Sequence, residues 1–174
     1  LNNKLVFEMN ITGSHIIENR PPVGATGFEG DLLLSALAAN PTWPIYDTAT
    51  GDLYQSIVTT ERSPVAMLEY TDDKTRTSRI LGGISGQYEI IKGLFYKVNL
   101  GLDYTNANRF VNQSQKLNYM TQRNGSGQIS NKELSNYVIE HTLNYEKSFG
   151  EHRLTLLAGY SYQNLMQRGT KMTG

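Results

Sequence analysis

Apolar and polar residues alternate in five long stretches of this chain, and one of the two resulting faces carries no Asp, Glu, Lys or Arg. The apolar row is Leu5, Phe7, Met9 and Ile11 in the first stretch, and Ile80, Gly82, Ile84, Gly86, Tyr88 and Ile90 in the second. It continues as Leu94, Tyr96, Val98, Leu100, Leu102 and Tyr104, then Tyr137, Ile139, His141, Leu143 and Tyr145, then Leu154, Leu156, Ala158, Tyr160 and Tyr162. The opposite row holds Glu8, Arg79, Glu89, Lys97, Asp103, Glu140, Glu146 and Arg153, so eight of its 26 positions are charged against none of 26. A two-residue period predicts β-strands, placed at about 4–13, 76–91, 94–106, 136–147 and 152–165. The fold class is therefore all-β.

Alternation alone does not separate a membrane face from the inner face of a soluble sandwich. Two further features do. With chain direction reversing at each strand, Tyr88, Tyr96 and Tyr145 fall at one level of the apolar face and Tyr104, Tyr137, Tyr160 and Tyr162 at the other. Tyrosine favours the bilayer–water boundary, where its ring meets acyl chains and its hydroxyl stays wet, and transmembrane barrels carry such a belt at each interface. The connections also alternate. They run long over about 14–75, tight at Ile91-Lys92-Gly93-Leu94, long over about 107–135 and tight at Ser148-Phe149-Gly150-Glu151. Outer-membrane barrels have this pattern because short turns lie on the periplasmic side and long loops on the extracellular side. The expected architecture is an antiparallel meander forming part of a transmembrane β-barrel, with short helices in its long extracellular loops.

Composition is consistent with this. The 174 residues carry no net charge and no cysteine, which argues against a nucleic-acid-binding polycation and a disulfide-stapled domain. The mean hydropathy of −0.43 does not oppose a membrane location, because polar residues dilute every barrel strand. The chain starts at Leu1 without an initiator methionine or a signal segment and reads as a piece of something larger. Five strands fall short of the eight in the smallest bacterial barrels, so they cannot form a pore alone.

Within the first long loop, Asp31 precedes the helical run Leu32 to Ala39, and Asn40-Pro41 stops it. A small hairpin is expected around Thr48 to Asp52, and Ser63-Pro64 opens a second brief helix that ends near Tyr70. Thr71 to Lys74 is read as the link to the next strand. Trp43, Tyr46 and Tyr54 cluster beside Asp47 and form a candidate substrate- or lid-facing loop, although packing of the loop on itself is the commoner use of such aromatics. Arg79, Glu89, Lys97, Asp103, Glu140 and Arg153 are candidate lumen- or plug-facing groups. Their commoner use is cross-strand pairing or plug contact rather than substrate binding.

No cofactor is expected. The histidines His15, His141 and His152 lack metal-ligand spacing, and Asp47 to Asp52 lacks the later acidic ligand of a calcium loop. Gly82-Gly83 and Gly125-Ser126-Gly127 do not lie between a strand and a helix as a phosphate cradle would, and no catalytic triad is recognisable. An enzyme is not expected.

Specific motifs lie in the first 105 residues. Ala39-Asn40-Pro41-Thr42-Trp43-Pro44-Ile45-Tyr46-Asp47, then Pro64 to Tyr70, Ser78-Arg79-Ile80-Leu81-Gly82 and Tyr88 to Leu94 resemble, in that order, the barrel of SusC-like TonB-dependent outer-membrane transporters of Bacteroidetes. Residues 106–174 share only the strand pattern, and the family's TonB box and plug domain have no counterpart in these residues. The resemblance implies nutrient import through a plugged barrel in the outer-membrane lipid of a Gram-negative bacterium. It further implies a SusD-like surface lipoprotein as lid, TonB acting through other regions, an oligosaccharide or peptide as substrate, and no nucleic acid. A passive porin and a soluble all-β carbohydrate-binding module remain as alternatives.

Overall fold

The computed structural model describes residues 4–23, 31–58 and 61–174. Residues 24–30 and 59–60 of the first long connection, and residues 1–3, lie outside that description. Five strands, β1 (Leu5–Asn19), β2 (Thr71–Ile91), β3 (Leu94–Gln113), β4 (Ser126–Phe149) and β5 (His152–Thr173), form one sheet in the order β1-β2-β3-β4-β5. Two α-helices, α1 (Leu32–Ala38) and α2 (Pro64–Glu69), lie between β1 and β2, and a 3-10 turn (Thr121–Arg123) lies between β3 and β4.

The strands run well past the ranges marked by the apolar row. β2 already begins at Thr71, β3 continues to Gln113, β4 starts at Ser126 and β5 reaches Thr173, so the second long connection shrinks to 114–125. The reason is visible in β3, where the apolar row ends at Tyr104 and is succeeded by Asn106 and Asn108. In β4, Asn131, Glu133 and Ser135 precede Tyr137 in the same way. Backbone ladders do not require apolar side chains, and here amides take over, with Asn131 Nδ2 donating to Asn108 Oδ1 at 2.7 Å. A strand of 21 residues such as β2 spans roughly 70 Å, about twice the 9–11 residues that cross a bilayer. Hydropathy patterning therefore marks the part of each strand suited to lipid, and not the strand itself.

The chain divides into two compact units. The first comprises residues 1–15, 77–106 and 132–168. Its apolar face groups Ile11, Ile80, Ile84, Leu100 and Leu102 around Gly82, and Leu100 and Ile84 are 43% and 39% exposed. On that face Tyr96 and His141 lie with rings parallel to within 17° and hydrogen-bond at 2.7 Å between the Tyr96 hydroxyl and His141 Nδ1. The bond satisfies a polar ring in an otherwise apolar row. Tyr137 and Tyr162 meet with ring centroids 6.1 Å apart.

The second unit comprises residues 16–76, 107–131 and 169–174. Both helices form where cap chemistry allows. The Asp31 carboxylate accepts from the Leu33 and Leu34 amides at 2.9 and 3.1 Å, and the Ser63 hydroxyl accepts from the Ala66 amide at 3.3 Å with Pro64 preset in the first turn. Helix α1 packs against α2. Ala66 and Met67 of α2, together with Leu117 of the second connection, are the buried apolar residues among those described. Complete burial of Met67 and Leu117 is worth about 2 kcal/mol each, which gives the long connections a small core of their own.

Candidate functional site

The hairpin in the first long connection closes by a bridge between Tyr46 and Leu53. The Asp47 amide donates to the Asp52 carbonyl at 2.9 Å, and the Asp47 carboxylate accepts from the Ala49 amide at 2.8 Å, so Asp47 is committed to the turn. Trp43 and Tyr54 pack with their rings tilted 57° to each other and centroids 5.8 Å apart. Of the four residues singled out in this loop, Tyr46 projects furthest, with 61% of its surface open.

Gln55 joins this segment to the second connection. Its Nε2 donates to the Lys116 carbonyl at 2.8 Å and its Oε1 accepts from the Asn118 amide at 2.9 Å, while Asn118 Nδ2 donates to the Ser56 carbonyl at 2.8 Å. The two long connections thus form one scaffold. Nothing in the spacing of Gln55 and Asn118 signals this, because the residues stand 63 positions apart.

On the charged face of the first unit, Arg79 and Asp103 form a two-point ion pair, Nε to Oδ1 and Nη2 to Oδ2, both at 2.8 Å. These are the two of the six candidates that pair directly with each other. Glu140 instead accepts from Asn99 Nδ2 at 3.3 Å, and Glu89 accepts from the Gly93 amide at 3.1 Å. Arg153 pairs with Glu146 at 2.9 Å. Lys97 borders a hollow shared with Glu8, Asn10, Ser85 and Asn99. Glu89, Lys92, Glu146, Lys147 and Arg153 line a cleft of about 890 Å³ beside the tight turns.

The second unit adds groups that the sequence did not single out. Asp73, 6% exposed, receives both Nε and Nη2 of Arg109, and that hydrogen bond raises the guanidinium pKa beyond its already high ordinary value. Nearby in the chain, Arg62 is 91% buried, and its guanidinium carbon lies 3.8 Å from the centroid of the Tyr119 ring. Burial raises the Tyr119 phenol above its ordinary pKa, with the Arg62 charge working against that rise.

The Asp73–Arg109 pair makes a testable contribution. Arg109→Ala in the full-length protein strands a buried carboxylate and is expected to cost about 2 kcal/mol, discounted from the fully buried case because Arg109 is 41% exposed. The double variant Asp73→Asn/Arg109→Ala should recover part of that loss. A thermal-unfolding double-mutant cycle checks this, and additive losses would deny the coupling.

No family model matches the chain. It is 26% identical over 155 residues to TonB-dependent receptor P3 of Formosa agariphila, covering 88% of this chain and 15% of that receptor. A structure of the RagAB peptide transporter superposes over all of this chain with a TM-score of 0.71 at 19% identity, and 20% of the transporter chain is covered. The chain is thus similar to one stretch of a TonB-dependent receptor β-barrel, and it has the fold of that barrel wall. The open-open and closed-closed states of the RagAB peptide importer give TM-scores of 0.72 and 0.65, so the five-stranded meander fits the receptor barrel in both. The chain spans about one fifth of that importer chain and 15% of receptor P3. TonB-dependent receptors are transporters rather than enzymes and reside in the outer membrane of Gram-negative bacteria.

Proposed function

We propose that this receptor segment forms one wall of a plugged barrel that imports a nutrient, with peptide the leading substrate class and oligosaccharide the second, under a SusD-like lipoprotein lid and with TonB supplying the driving force. The observation that carries the reading is the uncharged row of 26 residues on a meander that superposes along its whole length on a peptide importer. In this reading that row faces lipid, and Arg79, Glu89, Lys97, Asp103, Glu140 and Arg153 face the lumen or the plug. The paired state of Arg79 with Asp103 and of Arg153 with Glu146 favours wall or plug contacts for them over direct cargo binding. The long connections are extracellular. In the hairpin, Tyr46 is the residue offered to cargo or lid, while Trp43, Asp47 and Tyr54 hold its shape.

Purification of the full-length receptor from outer membranes in mild detergent, followed by mass spectrometry of what accompanies it, tests the proposal. A surface lipoprotein and a retained set of peptides are the expected result. Channel conductance of the purified protein in planar bilayers without any plug would overturn it in favour of a passive porin.

A further inference from the structure

Gly82 leaves a gap in the uncharged row that the fold does not require. Its φ is outside the left-handed region, and a Cβ there would meet the Asn10 carbonyl oxygen at 3.7 Å and Ile11 Cγ1 at 3.8 Å, which is ordinary contact. The backbone would therefore accept a side chain. Its absence opens a groove of about 210 Å³ across β1, β2 and β3, lined by Ile11, Ile80, Ile84, Leu100 and Leu102 and bordered by no charged residue. Toward the long connections the groove ends on polar groups. His15 Nδ1 and the Ser78 hydroxyl hydrogen-bond at 2.9 Å, and these two residues continue the rows of Ile11 and Ile80. The register that sets Arg79 against Asp103 sets Ser78 against Tyr104 on the opposite face, roughly 13 Å along β2 from Gly82. The His15–Ser78 pair offers one donor outward in either tautomer: Nε2–H where the Ser78 hydroxyl donates to Nδ1, and the hydroxyl proton where Nδ1–H donates to Ser78. The Tyr104 hydroxyl adds a second.

We infer that this groove and its polar end hold one phosphorylated, acylated lipid of the outer leaflet, with an acyl chain lying over Gly82 and the phosphate accepting from the His15–Ser78 pair and from Tyr104. This rests on the lipid-facing part of the reading above, which puts the long connections outside the cell, and deepens it by making one stretch of the wall a specific site. Acyl chains are as apolar as leucine, so exclusion from water does not favour the groove over the rest of the row. The gain lies in the contacts that a concave surface makes with a chain and a flat one does not. At the edge of the bilayer a hydrogen bond to an anionic oxygen is stronger than in water, and this sets the preference for a phosphate. A second barrel is the rival occupant. A two-fold contact would set groove against groove, leaving both hollows unfilled and covering His15, Ser78 and Tyr104 without an anion.

The experiment uses the full-length protein, stripped of lipid in detergent and read by native mass spectrometry. The probes are monophosphoryl lipid A, the same lipid after phosphatase treatment, and inorganic phosphate. The wild type is expected to hold a single monophosphoryl lipid A about tenfold more tightly than the dephosphorylated lipid, the discrimination of a charge-assisted hydrogen bond, and excess inorganic phosphate should not displace it. Gly82→Leu fills the groove and should lower retention of both lipids by about tenfold or more. Gly86→Leu is the control, since Gly86 shares the row, has nothing within 4 Å of an added Cβ and lies outside the groove, and it should retain lipid as the wild type does. The triple variant His15→Phe/Ser78→Ala/Tyr104→Phe removes the donors and should bring the two lipids to about equal retention. No lipid on the wild type, equal losses in Gly82→Leu and Gly86→Leu, an undiminished phosphate preference in the triple variant, or displacement by inorganic phosphate overturns the inference. So does a dimer that holds no lipid and dissociates in Gly82→Leu, which would give the groove to a second copy. Heat-modifiable migration on gels reports that each barrel has folded. A wild type without it fails the import reading, whereas a folded wild type that binds no lipid fails this inference alone.

Discussion

Leu100→Arg in the full-length protein is expected to cost about 2–4 kcal/mol of barrel stability, the penalty for an arginine near the bilayer midplane on a lipid-facing row. Leu100 sits in the apolar group with Ile80, Ile84 and Leu102, halfway along the uncharged row of β3. Asn99 is its neighbour in the chain and points to the other face, where its amide meets Glu140 at 3.3 Å. Asn99→Arg places a cation beside that carboxylate and should be tolerated far better. The comparison removes propensity and expression effects, since the two substitutions introduce the same side chain one residue apart. Barrel assembly is read as the fraction of heat-modifiable protein in the outer membrane, and urea unfolding in detergent gives the magnitude. Equal losses at 99 and 100 would discard the assignment of the even row of β3 to lipid.

Gly93→Val should have an effect of similar or larger size, at least about 3 kcal/mol, for a different reason. Gly93 has φ +86°, a conformation costly for any residue with a β-carbon and most costly for a branched one. Space is also lacking, because a Cβ at this position would stand 2.2 Å from the Glu146 carbonyl oxygen, which accepts no displacement without parting the β2–β3 turn from β4. The Gly93 carbonyl moreover accepts from the Glu146 amide at 2.8 Å, and the Gly93 amide donates to the Glu89 carboxylate. Gly150 is the control. It shares the positive φ, +61°, but has no neighbour within 4 Å of an added Cβ. Gly150→Asn should lose no more than about 1 kcal/mol, since asparagine visits this region readily. If Gly93→Val and Gly150→Asn unfold at the same denaturant concentration, the close approach to Glu146 has no energetic weight.

Much of the five-stranded meander was legible in the order of residues. The five strands, the two tight turns around Gly93 and Gly150, the caps Asp31 and Ser63 and the hairpin around Asp47 each depend on groups within a few positions of one another. Their signals are local, so periodicity and cap chemistry reach them. Strand length was not legible in the same way: the ladders of β2, β3, β4 and β5 continue where the apolar row stops, because amide and carbonyl groups pair regardless of side chain. Thr71 to Lys74 reads as a linker from composition, yet it is paired strand, and Asp73 within it is buried against Arg109.

The candidate sites divide along the same line. Alternation places Arg79 and Asp103 on one face, but only the register of β2 against β3 makes them partners at 2.8 Å while Lys97 on the same row lines a hollow. Trp43 and Tyr54 stand out as aromatics, and it takes the bridge between Tyr46 and Leu53 to turn two of the three inward on each other and leave Tyr46 open. Arg62 and Tyr119, 57 residues apart in the chain, carry no motif at all. Which face of each strand is apolar, where the tight turns fall and where the helices start are set by nearest neighbours along the chain. Which charges meet, and which cation is buried against an aromatic ring, were decided by tertiary structure alone, because a distance between side chains from different strands and loops is fixed by register and packing and has no trace in sequence spacing.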